Sequence, residues 1–99
     1  MINSKQRALL RSMAASEHVI VTVGKEGITD SVVDSMLEAL SARELVKGKV
    51  LESSLLTARE ACDELAQRCK ADGVQTIGSI FVLYKRNEKK PRIDIKVSK

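Results

Sequence analysis

The run His18-Val19-Ile20-Val21-Thr22-Val23 leaves this chain few folds to choose from. Val19 through Val23 are all β-branched, so the run reads as a strand. Its nearly continuous apolar character predicts burial on both sides, as in a sheet flanked by helices. A helix start follows within a few residues. Thr29 suits the N-cap, Asp30 complements the positive helix end, and Ile28 is placed to staple onto Val33. Val32, Val33, Met36, Leu37 and Leu40 then form an apolar stripe at helical spacing.

The flanking segments repeat this alternation. Ser4 to Ala14 reads as a short helix with Leu9, Leu10 and Met13 as its apolar stripe. Lys5, Arg7 and Arg11 are expected to form a basic ridge on it. Glu44 to Leu51 reads as a second strand, with Lys47 and Lys49 on one face and Gly48 weakening its interior. Thr57-Ala58-Arg59-Glu60 is a capping-box sequence opening a third helix through Leu65 to Cys69, closed by Gly73. Val74 to Tyr84 is long for one strand, and Gly78-Ser79 divides it into two antiparallel strands. The order is α-β-α-β-α-β-β, without internal repeats. It predicts an α/β fold in one compact domain, a four-stranded mixed sheet with helices packed chiefly on one side.

Ninety-nine residues suffice for one core and hardly for two. The net charge of +4 is unevenly spread. Lys85 to Lys99 holds seven basic and two acidic residues, whereas residues 1 to 84 hold ten basic and eleven acidic ones. A basic tail is therefore expected over residues 87–99, with Ile93, Ile95 and Val97 alternating so as to suit an edge strand. Such charge favours polyanionic partners, nucleic acid above all. Phe81 and Tyr84 are the only aromatics, too few for serial base stacking. No apolar stretch is long enough to span a membrane or to lead secretion, so no membrane partner and a cytoplasmic location are expected. Cys62 and Cys69 lie seven apart in a helical pattern, about 10 Å between Cα atoms. That is too far for a disulfide.

Few residues suggest catalysis, and no cofactor or metal set is evident. His18 stands alone, with no partner for a triad or metal cluster. Cys62 to Arg68 has the bare C-x5-R spacing of thiol phosphatases, but it lacks glycine and reads as helix, where backbone amides cannot turn toward a phosphate. Gly24-Lys25 lacks the spacing of a P-loop. What remains is Gly24-Lys25-Glu26-Gly27, a G-x-x-G between strand and helix. Glycines allow close backbone approach, the following helix supplies free N–H groups, and Lys25 adds a cation. Such a loop can grip a phosphodiester backbone without reading bases. Glu26 opposes that reading unless it turns away. Loop chemistry alone leaves phosphate contact and a plain turn both open.

Several segments stand in a telling order and spacing. They are Lys5-Gln6-Arg7 with Leu10-Arg11, the strand entering Gly24-Lys25-Glu26-Gly27-Ile28-Thr29, and Glu44-Leu45-Val46-Lys47. Val74-Gln75-Thr76-Ile77-Gly78 followed by Val82-Leu83-Tyr84-Lys85 completes the set. Together they resemble, from about Lys5 to Arg86, the CRM (chloroplast RNA splicing and ribosome maturation) domain in its small YhbY-like form, so residues 1–86 are expected to form that domain. The resemblance implies a fold similar to the C-terminal domain of translation initiation factor three. It also implies RNA binding and, in bacteria, association with large-subunit rRNA or pre-ribosomal particles. The family's G-x-x-G loop falls on Gly24 to Gly27, and its basic first-helix surface on Lys5, Arg7 and Arg11. Gly48 stands where related chains usually carry a β-branched residue, which implies a bulged second strand.

The expected function is non-enzymatic RNA binding by a monomer in assembly of the large ribosomal subunit. Lys25 and the amides of Gly24, Gly27 and Ile28 are expected to clamp RNA backbone. Lys5, Arg7 and Arg11 extend that surface, Lys47 and Lys49 flank it, and Glu26 must face away. The alternative is a protein-interaction adaptor on ribosomal precursors that does not touch RNA.

Overall fold

A computed structural model describes residues 2–87. Each helix begins where a side chain caps it. In helix α1, Ser4–Ala14, Asn3 Oδ1 accepts from the Gln6 amide and Gln6 Oε1 from the Asn3 amide, both at 2.9 Å. Thr29 caps α2, Asp30–Arg43, by accepting from the Val32 amide. Thr57 and Glu60 form the expected reciprocal box at the start of α3, Ala58–Cys69. Capping these orphan amides is worth about 1 kcal/mol per helix.

The strands are β1 (Val19–Val23), β2 (Leu45–Val50), β3 (Asp72–Ile77) and β4 (Ile80–Tyr84). They form one mixed sheet in the order β1-β2-β4-β3. β1 runs parallel to β2, and the other two pairings are antiparallel. Gly78-Ser79 makes the β3–β4 turn as expected, with Gly78 at φ +58°.

Alternation along the strands divides the core in two. Val21, Val23, Val46, Val50, Phe81 and Leu83 face α2 and α3. Leu45, Val74, Val82 and Tyr84 face α1, with Leu10 and Ala14 against them. Two helices thus share one face, and the third covers part of the other.

That arrangement corrects the reading of β1 as buried on both sides. Only Val21 and Val23 are buried, while Val19, Ile20 and Thr22 are exposed. β1 is an edge strand, and α1 packs on β2, β3 and β4 instead. A sequence run reports β-branched content, not which neighbour lies over it.

Gly48 also departs from expectation. β2 pairs with β4 without interruption through Gly48, and the irregularity lies on β1 between Val19 and Val21. The glycine makes room: a Cβ there would lie 2.3 Å from Cζ of the buried Phe81 ring. α3 ends earlier than expected, at Lys70 in the left-handed region (φ 55°, ψ 47°), and Gly73 already belongs to β3.

Glu44, read as the first residue of a strand, is instead the α2 C-cap at φ 66° and fully buried. Its carboxylate accepts from the Asn87 amide at 2.6 Å, and its carbonyl from the Lys85 amide at 2.9 Å. These bonds tie the chain leaving β4 to the end of α2. Apart from Asn87, the basic tail and its alternating Ile93, Ile95 and Val97 lie outside the described residues.

Candidate functional site

The Gly24–Gly27 loop is a closed turn at the end of β1. The Gly27 amide donates to the Gly24 carbonyl at 3.0 Å, and Gly27 sits at φ +74°, a conformation that favours glycine. Lys25 and Glu26 occupy its exposed tip. The expected clamp changes in one respect, because the Gly27 amide is spent inside the turn. The amides of Lys25, Glu26 and Ile28 make no hydrogen bond to the described residues.

A loop from residues 51 to 57 backs the turn. Leu51 Cδ1 lies 3.8 Å from where a Gly24 Cβ would stand, and Leu56 Cδ1 3.8 Å from that of Gly27.

Arg68 of α3 holds the turn from below, a role sequence reasoning missed. Its guanidinium donates to the Ile28 carbonyl at 3.0 Å, to Asp30 at 3.3 Å and to Glu64 at 3.4 Å. In sequence the only signal was its place in the last turn of a helix, which does not reveal a partner forty positions away. An Arg68→Ala variant should lose about 1 kcal/mol, since half-exposed charged bonds contribute modestly. Amide exchange at residues 28–32 should quicken more than in β4, and equal quickening throughout would contradict the local role.

Lys47 and Lys49 share the face of Leu45, opposite Val46 and Val50, as alternation requires. Lys49 is exposed, Lys47 half-buried, and neither has an acidic partner among the described residues. Lys49 pairs in register with Thr22, two residues before Gly24. The sheet lysines therefore lead into the turn.

The first-helix residues are placed differently. Arg7 is half-buried, and its Nε and Nη2 both donate to the Gly73 carbonyl at 3.3 Å, beside the bulge in β3. Strand register puts Gly73 and Gly24 at opposite corners of the sheet, roughly 20 Å apart. Arg11 follows Arg7 on the same side of α1, and Lys5 stands about 120° around from Arg11. Both are exposed. The three do not make one ridge.

Charge differs between the faces: α2 and α3 expose Asp34, Glu38, Glu60 and Asp63 against Arg43 and Arg59, whereas α1 contains no acidic residue. Glu26 in the turn and Glu52 in the adjoining loop are acids on the loop side that an anion would meet. Among the described residues no group of three or more His, Cys, Asp or Glu is placed to hold a metal ion. Burial, then the Asp63 charge, pushes the Cys62 thiol up to about 11, the opposite of what a thiol nucleophile needs.

Comparison with known proteins identifies the family and the fold. The model of the CRS1/YhbY (CRM) domain matches residues 2–85. The chain is 36% identical over 95 residues to a Bacillus subtilis protein named "Probable RNA-binding protein YqeI", covering 96% of this chain and 99% of that one. It is 33% identical to a Haemophilus influenzae protein named "RNA-binding protein", covering 88% of each chain. The solution structure of a Staphylococcus aureus hypothetical protein superposes with a TM-score of 0.67 at 32% identity, covering 87% of this chain and 90% of that one. With three helices on one four-stranded mixed sheet and a family match across nearly all the described residues, the chain belongs to the CRS1/YhbY (CRM) domain family.

Proposed function

We propose that this protein binds RNA without catalysing a reaction, holding the phosphodiester backbone at the Gly24–Gly27 turn and along Lys47 and Lys49. Its target in this reading is large-subunit rRNA within precursor particles. The observation that carries the proposal is the run of lysines without an acidic partner among the described residues, exposed Lys25 at the turn, then exposed Lys49 and half-buried Lys47 on the sheet. The exposed acids of α2 and α3 lie on the other layer. Phosphates are attracted to one side of the molecule and repelled from the other, which orients it on RNA. The names of the family's relatives agree with RNA as the partner.

An adaptor that touches only proteins is separated by one experiment. Tagged protein should sediment with large-subunit precursors from cell extract and leave them after limited ribonuclease treatment. Crosslinked RNA recovered with it should map to large-subunit rRNA. Association that survives complete RNA removal would assign the contact to protein and overturn the proposal.

A further inference from the structure

Strand register lines up one residue from each strand across the open half of the sheet: Thr22, Lys49, Ile80 and Ile77. All four face the α1 side, because Lys49 shares the face of Leu45 and partners in register share a side. The core under α1 reaches only as far as Leu45, Val74, Val82 and Tyr84 on the sheet, so it stops short of this row. Ile77 is 64% exposed, Thr22 and Lys49 are exposed as well, and Ile80 is half-buried. The row spans about 14 Å, three strand spacings.

We propose that this row is a platform for an unpaired RNA strand, a reading that rests on the RNA-binding function above. Lys49, with Lys47 behind it, supplies charge complementarity to phosphate. The isoleucines decide which form of RNA fits. An exposed aliphatic surface gains free energy only when apolar surface covers it. In an A-form duplex the base faces are stacked on one another, and a protein meets phosphates, 2′-hydroxyls and groove edges. An unpaired nucleotide can lay its base face or ribose against Ile77 and Ile80 while its phosphate meets Lys49. With no aromatic in the row, this contact is weaker than ring stacking and tolerant of sequence.

The test is fluorescence anisotropy at fixed salt, with a short unstructured RNA and the same RNA annealed to its complement. Ile77→Ser should weaken binding of the unpaired RNA roughly fivefold, about 1 kcal/mol of lost apolar cover, and change duplex binding less than about twofold. Ile77→Tyr should strengthen binding of the unpaired RNA alone. Both substitutions are at an exposed position, and melting curves recorded alongside verify that each variant is folded. Equal losses on both RNAs, or no effect of either variant on the unpaired one, would overturn the platform while leaving RNA binding intact. A wild-type protein that binds neither RNA would overturn RNA binding and the platform together.

Discussion

A Gly48→Val variant is expected to melt roughly 10–20 °C below the parent chain, a loss of about 2–3 kcal/mol. Strand propensity alone predicts the reverse, since valine in place of glycine in a strand interior is favourable by up to about 1 kcal/mol. Packing decides the sign. A Cβ on Gly48 would lie 2.3, 2.5 and 3.0 Å from three atoms of the Phe81 ring. Phe81 is fully buried in the core facing α2 and α3, so the ring has no free volume into which to swing. The pair should therefore show strong coupling. Phe81→Leu alone leaves a void and destabilises, but Gly48→Ala in that background should cost much less than in the parent. Additive losses, or a Gly48→Val protein as stable as the parent, would show that the ring is not what holds the glycine in place.

The same pair shows where the sequence was legible and where it was not. Helix starts were readable because capping is local: Thr29 with Val32, and Thr57 with Glu60, lie within one turn of each other. Strand identities and the Gly78-Ser79 turn were readable for the same reason. The contact between Gly48 and Phe81 joins β2 to β4 across thirty-three positions, and nothing local announces it. The exposure of β1 likewise depends on where α1 settles. At the site, alternation correctly placed Lys47 and Lys49 on one face. Arg7 was readable as basic, but not as a donor to Gly73 on β3. Arg68 and Glu44 were missed because their partners lie about forty positions away.

Reversing charge on the sheet face should produce the largest change in RNA affinity. Lys47→Glu combined with Lys49→Glu is expected to weaken binding on the order of a hundredfold at low salt, taking about tenfold for each charged contact removed. The slope of log affinity against log salt should flatten by roughly one and a half to two units, because each lost phosphate contact releases fewer counterions. Lys25→Glu should act in the same direction by about half as much, and Glu26→Gln should strengthen binding, since it removes the acid at the tip of the turn. Arg59→Glu on the exposed side of α3 is the matched control and should change little. Arg7 separates two geometries. Two of its N–H groups are held by the Gly73 carbonyl, so Arg7→Met should lower stability by about 1 kcal/mol and, where RNA lies on the turn and sheet lysines, leave the salt slope nearly unchanged. A surface centred on the first helix requires the opposite ranking: Arg11→Glu would then dominate and the sheet lysines would be silent. In that event RNA would lie across α1, and Gly24 to Gly27 would be only a strand-to-helix turn.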